Sequence, residues 1–518
     1  MNRQFNAVKM SRGKSNAFDL SHERKFSMNP GNITPFYVEE IIPGDNFKVK
    51  SEILMRFAPL ASPVMHRINV FTHYFFVPFR QIMDGWEDFI TGGEDGLDTT
   101  VLPQMYINAT HRLKYAYGTL ADYLGYPTIK SGQPCAGATL VSALRFRAYQ
   151  KIYNEYYRAQ SLEAEVSFAT TNGIIATGDA DNTTLTTMRT RSYEHDYFTS
   201  ALPNAQKGGA VYLPIESEFS PQYADPAYFE TLTGPSGDEN LVVNASEEIE
   251  NSVSGETGIV RNLDDPQVVD STSVTVNDLR VAVKLQQWME KNARAGSRYV
   301  ESLLAHFGVH LGDYRAQRAI YLGGNRQPVV ISEVLASTEG TNQELGSMAG
   351  HGISVGGRNG FKYKFREHGV VIGLMSVMPR TAYSQMLDRH LVKTDKLDYF
   401  WKEFAHLGEQ AVLNQEVYWD KDDTTGTNID EWGYQSRYSE YKFKHSTVHG
   451  DFKDTLDYWH WGRKFTSLPN LNTAFVQFDN DDRIFAVEDS WATQKLYVQV
   501  FNNVKAIRQM PIFGTPTF

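Results

Sequence analysis

Between Arg67 and Val77 the chain alternates with a period of two, and both resulting faces are apolar or aromatic. Ile68, Val70, Thr72, Tyr74 and Phe76 share one side; Asn69, Phe71, His73 and Phe75 share the other. A strand with one solvated face alternates apolar with polar residues. A strand greasy on both faces therefore lies between two packed layers, and Pro78 ends it. Shorter alternating runs surround it. Phe36/Val38, Phe47/Val49 and Ile53/Met55/Phe57 are punctuated by Pro43-Gly44-Asp45. Later come Phe361 to Phe365, Val370 to Val377, Glu416 to Trp419, Tyr434 to Phe443, Ala474 to Phe478 and Leu496 to Phe501. Short strands separated by long excursions predict a mainly β chain, a sandwich or barrel with helices in its loops.

Two segments follow a helical period instead. Ala138 to Gln160 lacks Pro and Gly and places Leu140, Leu144, Ala148 and Ile152 beside an aromatic stripe of Phe146, Tyr149, Tyr153 and Tyr157. That pattern predicts a helix buried on two sides. Asp278 to Phe307 is the second, with Asn277 or Asp278 as the start, Gly296 as a kink, Gly308 as the end, and a stripe of Tyr299, Val300, Leu303, Leu304 and Phe307.

Charge is unevenly distributed. The 518 residues carry 61 acids against 50 bases, a net of -11. Residues 215–275 hold thirteen of those acids and one base, Arg261, so the remainder is balanced to within one charge. This acidic stretch is rich in Ser, Thr, Asn, Gly and Pro and reads as a solvent-facing insertion; a linker between domains is the alternative. Residues 1–30 are the opposite. Arg3, Lys9, Arg12, Lys14, Arg24 and Lys25 face only Asp19 and Glu23, which predicts a basic, weakly ordered arm whose cations could neutralise phosphates. A protein-wide polycation is excluded, so contact with nucleic acid must be local. The single cysteine, Cys135, permits no intrachain disulfide and suits a reducing compartment. The polar start is unlike a secretory signal, and no apolar run reaches membrane-spanning length.

Catalytic and metal signatures are weak. Asp420-Lys-Asp422-Asp423-Thr424-Thr425-Gly426 with Glu431 imitates a calcium loop, but the glycine is one place late and the flanks look like strands, so a hairpin loop is expected. Asp479 to Asp482 reads as a solvated turn. His445 and His449 have zinc-helix spacing without the activating Glu, on a stretch that alternates like a strand. Gly350 to Gly360 is glycine-rich without a Gly-x-Gly-x-x-Gly pattern and reads as a flexible surface loop. Phe146 between Arg145 and Arg147 could stack on a base, yet fits a core better. No catalytic, cofactor or metal residue is assigned. A β-sandwich glycan-binding or glycan-processing protein, suggested by aromatics and carboxylates, is the alternative from another class.

Strings along the whole chain resemble the major capsid proteins of microviruses, small single-stranded DNA phages, and their gokushovirus-like branch in particular. They are Phe18 to His22, Ile42 to Asp45, Phe75 to Arg80, Arg147 to Arg158, Asp196 to Pro203, Arg298 to Glu301, His306 to Gly308, Tyr321 to Gly324, Glu367 to Gly369, Leu407 to Gln410, Trp432 to Gln435 and Met510 to Gly514. The resemblance implies a non-enzymatic subunit: a single eight-stranded antiparallel jelly roll with long helix-containing loop insertions, spanning residues 31–518 behind the arm. It implies self-assembly through pentamers into a sixty-copy T=1 icosahedral shell around a circular single-stranded DNA genome, with small virion proteins as companions and assembly in the bacterial cytoplasm. It also makes residues 215–275 a three-fold protrusion that meets the bacterial host surface, and the basic arm a DNA-facing element. No cofactor and no membrane partner are implied.

Overall fold

Apolar alternation becomes strand wherever the second face has something to pack on, and the computed structural model shows two such surfaces. It describes residues 15–130, 132–209, 211, 241–243, 249–251, 276–296, 298–337, 346–479, 481–487 and 493–513. Ten strands build two antiparallel sheets: β1 (Asn16–Asp19), β2 (His22–Met28), β3 (Thr34–Ile41), β4 (Asn46–Phe57), β5 (Ile68–Pro78), β6 (Ile320–Pro328), β7 (Val330–Leu335), β8 (Met348–Lys364), β9 (Gly369–Pro379) and β10 (Leu496–Arg508). The six-stranded sheet runs β1-β10-β4-β8-β7, with β2 also on β10; the four-stranded sheet runs β6-β5-β9-β3. Together β1 and β2 cover the outer edge of β10, Asp19 opposite Lys505 and Phe26 opposite Val498.

The sheets pack face to face. On β4 every second side chain turns inward, and Phe47, Val49, Ile53, Met55 and Phe57 meet Val70, Tyr74 and Phe76 of β5 and Val371, Met375 and Val377 of β9. Each such buried side chain contributes on the order of 2 kcal/mol. The other face of the four-stranded sheet, with Phe75, Val77, Val370, Ile372 and Leu374, packs on a helical layer around α1 (Leu144–Ile152) through Phe146, Tyr149 and Ile152. That second layer is why β5 is apolar on both sides, and β9 is buried along its whole length for the same reason.

Two long excursions leave this framework. Residues 79–319 separate β5 from β6, and residues 380–495 separate β9 from β10. The two share a further core, in which Tyr197 and Phe198 of the first join Tyr383, Val412, Val417 and Trp432 of the second beside a two-stranded ladder of Glu409–Leu413 and Glu431–Ser436. By internal contacts the chain divides into two units, residues 1–207 with 290–518, and residues 208–289. The second unit takes in the acidic segment, of which the described part is a small antiparallel ladder, Leu241–Val243 with Ile249–Asn251. Among the described residues no helix is long and apolar enough to cross a membrane.

Several expectations need correction. The basic arm is not loose throughout, because β1 and β2 lie inside it. Gly350 to Gly360 is no loop but the middle of β8: side chains at Gly350 and Gly360 would collide with the backbone oxygens of Ser62 and Val49, so glycine here permits close approach of neighbouring backbone. Glu416 to Trp419 is not a strand; Asn414–Val417 is a short helix, with the Glu416 carboxylate accepting the Leu413 N–H at 2.9 Å. Ala474 to Phe478 likewise gives way to a helix over Thr473–Val476, capped by the Asn472 side chain on the Phe475 N–H. In both, four apolar-rich residues are too few to distinguish the two periods. The first helix is shorter than its sequence window, since Thr139–Ser142 pairs as a strand with Gln104–Ile107; it ends in a π-turn at Tyr153–Tyr157. The second window divides at Gly296, whose φ is +98°, into α2 (Val276–Ala295) and α3 (Tyr299–Phe307). Asn277 and Asp278 fall inside α2 rather than before it. Gly308 closes α3 in the left-handed region, as expected.

Candidate nucleic-acid interface and assembly surfaces

The arm residues separate once placed. Arg3, Lys9, Arg12 and Lys14 lie outside the described residues. Arg24 sits on the inner side of β2, where its guanidinium donates to the Tyr123 carbonyl at 2.8 Å and burial holds its pKa below the ordinary value. Lys25 points outward, 71% exposed, and pairs with Glu23 at 3.3 Å.

Lys25 joins a cluster that the linear sequence conceals. On the outer face of the six-stranded sheet, register places Lys505 of β10 directly opposite Lys48 of β4, and Lys48 directly opposite Lys362 of β8. Strands lie about 4.8 Å apart, so the three lysines form a row about 10 Å across. The same face carries Lys50 beside Asn503, Lys364 at the end of β8, and Arg56 opposite Tyr497. All seven cations and the rings of Tyr497 and Phe501 are solvent-exposed. The acids on this face are Asp19, Glu23 and Glu52. Asp19 is occupied by the hydroxyl and N–H of Ser21, and these hydrogen bonds hold its carboxyl below the usual range.

A second exposed surface is apolar. In the excursion after β9, Leu391, Tyr399, Phe400, Trp401 and Leu407 are all about half exposed or more. The Phe400 ring lies 5.1 Å from Tyr438, and the Lys393 ammonium 4.1 Å from the Tyr441 centroid. The stripe on α3 is also outward: Tyr299 is 69% exposed and Phe307 74%. Patches of this kind mark contacts with other macromolecules.

The remaining sequence candidates are structural. Phe146 is fully buried, stacked on Tyr126 at 4.5 Å. Arg145 donates to the Leu124 carbonyl at 2.9 Å. His445 stacks on Phe198 at 4.8 Å, and burial lowers its pKa; His449 is 2.8 Å from the Thr447 hydroxyl. Asp423 receives the N–H groups of Thr425, Gly426 and Asn428, and that backbone cradle, Asn428 foremost, holds its carboxyl well below its usual range. Its loop connects the two strands of the local ladder, as the hairpin reading expects. Among the described residues no group of three His, Cys, Asp or Glu side chains is placed to hold a metal. A cavity of about 300 Å³ is lined by Trp461, Arg463, Phe465, Asn472 and Asp481, but Asp481 is paired with Arg483 and Arg463 donates to the Phe475 carbonyl at 2.6 Å.

The family model described as "Capsid protein (F protein)" matches residues 6–518, essentially the whole chain. The chain belongs to that phage capsid family. The capsid subunit is 34% identical to capsid protein VP1 of Chlamydia phage 1, covering 100% of this chain and 98% of that one. It is 32% identical to capsid protein VP1 of Bdellovibrio phage phiMH2K, over 92% and 89% of the two chains. Capsid protein VP1 of Spiroplasma virus 4 is 29% identical, over 96% and 94%. This capsid subunit is thus a structural, non-enzymatic component of a phage virion, and it assembles with copies of itself into a multi-copy shell. The glycan-processing alternative falls with that assignment.

Proposed function

We propose that the subunit is a jelly roll that closes, through pentamers, into a sixty-copy T=1 shell around a circular single-stranded DNA genome. The strand order supports the jelly roll. Counted as β2, β3, β4, β5, β6, β8, β9 and β10, eight strands form sheets ordered first-eighth-third-sixth and fifth-fourth-seventh-second. This is a doubly wound Greek-key sandwich, a frame used by viral capsids, and β1 and β7 are additions at its edges. The exposed aromatic patch near Tyr399 to Trp401 and the α3 stripe supply apolar surface for contacts between copies. The acidic segment 215–275 is the outward three-fold protrusion that meets the bacterial surface. Its charge of -12 would oppose packaged phosphates and is tolerated outside. Residues 1–14 face the genome, and small virion proteins complete the particle, which is built in the host cytoplasm.

The whole-chain family match carries this reading. It is tested by expressing the full chain and measuring particle mass with electron microscopy. Sixty copies of a 58.7 kDa chain give closed shells of roughly 3.5 MDa. A product that stays monomeric or dimeric under every assembly condition contradicts it.

A further inference from the structure

Resting on that reading but naming a surface it does not require, we propose that the outer face of the six-stranded sheet binds single-stranded nucleic acid. The row Lys505, Lys48, Lys362 would seat the phosphates, and Tyr497 and Phe501 would be platforms for bases. Three observations converge. First, directly opposed like charges in a ladder repel one another, and here three stand abreast on adjacent strands. An anionic partner removes that repulsion. Second, the chain supplies little of the anion: Lys48, Lys50 and Lys362 make no ion pair among the described residues, and of the row only Lys505 has a carboxylate beside it, that of Asp19. Third, the exposed rings stand on the same face as the cations. Tyr497 is 38% exposed opposite Arg56, and Phe501 36% exposed on the same strand as Lys505, four residues before it.

A purely ionic partner, such as an acidic polypeptide, has use for the lysines and none for the rings. Single-stranded nucleic acid uses both, because every base offers a face to stack and every link a phosphate. Contacts of lysine with phosphate and of a ring with a base face carry no base identity, so binding is independent of sequence. The face differs from the arm in being built on rigid strands, with lysine spacing fixed by register.

The test uses the full chain and a labelled oligothymidylate, with affinity followed as salt is raised. Replacing Lys48→Gln, Lys362→Gln and Lys505→Gln together lowers the steepness of log affinity against log salt by about 2, since each single-strand phosphate contact contributes roughly 0.7. Lys50→Gln with Lys364→Gln is an independent pair that lowers it by about 1.4 by the same rule. Tyr497→Ala with Phe501→Ala leaves the steepness intact and weakens binding by roughly thirtyfold or more, each ring being worth at least about a fivefold change. A wild-type slope in both lysine variants overturns the proposal. So does polyglutamate binding as tightly as the oligonucleotide, which would make the face a site for acidic polypeptide. Electron microscopy of the same preparations separates the two readings: wild-type chain that never closes into shells removes the proposed assembly, whereas shells with an unchanged salt slope remove only this face.

Discussion

Arg147 carries its charge into the helical layer with no exposed surface at all, and its partners are carbonyls rather than carboxylates: Ile82 at 3.0 Å and Thr171 at 2.8 Å. Those two oxygens belong to loop backbone that has no ladder of its own, so the guanidinium ties the loop to α1. Arg147→Met keeps the volume and leaves both carbonyls unsatisfied, at a cost of about 3 kcal/mol. The check is a lower melting temperature of the soluble subunit, with Arg145→Met as the milder control. His73 offers a pH test. Burial pushes its imidazole down to about 4, Arg191 adding repulsion, while the ring is 2.7 Å from the Tyr157 hydroxyl. An unfolded chain takes up this proton near pH 6.5; the folded chain refuses it until about pH 4. Stability is therefore full above pH 6.5 and falls between there and 4, by at most about 3 kcal/mol. His73→Gln, measured by thermal melting against pH, flattens that part of the profile; an unchanged slope refutes the assignment. Sequence pattern alone marked both residues as strand or helix positions. Their partners, 24 to 84 residues distant, were beyond its reach.

Among the elements, β8 shows how a composition signal misleads. Its glycines look like a flexible loop, yet they are the places where β4 and its neighbours come too close for a side chain. Gly360→Ala drives a methyl group into the Val49 carbonyl and should prevent folding or leave the chain insoluble, whereas at Gly357 the nearest atom, on Glu52, is an ordinary 3.5 Å away. Gly357→Ala should be tolerated within about 1 kcal/mol in a denaturation experiment. The N-terminal strands give a second contrast. An exposed β10 edge would present unpaired backbone groups to other chains. Removing residues 1–14 should leave the fold intact by circular dichroism, while removing residues 1–28 strips β1 and β2 and should produce aggregates in light scattering.

For the whole molecule, the acidic segment provides the sharpest handle, because Arg261 is its one basic residue. If it projects outward, trypsin cleaves intact particles there; cleavage confined to disrupted particles contradicts that placement. The alternating runs 36–38, 47–57, 68–77, 361–365, 370–377 and 496–501 became strands of the two sheets, since a period of two needs no knowledge of partners. Both-sided apolarity in 68–77 even announced the second layer. Family membership, too, was written in strings that run from Phe18 to Gly514. The lysine row was not. Residues 48, 362 and 505 belong to strands separated by two long excursions, and nothing local to any of them signals the others. Pairing across β4 fixes which side chains stand abreast, and a slip of one residue would send each lysine to the opposite face. The sequence thus determined six of the ten strands of the two sheets and the capsid family they serve. Only the tertiary structure decided which charges meet, because register is a property of pairs of strands and not of either strand alone.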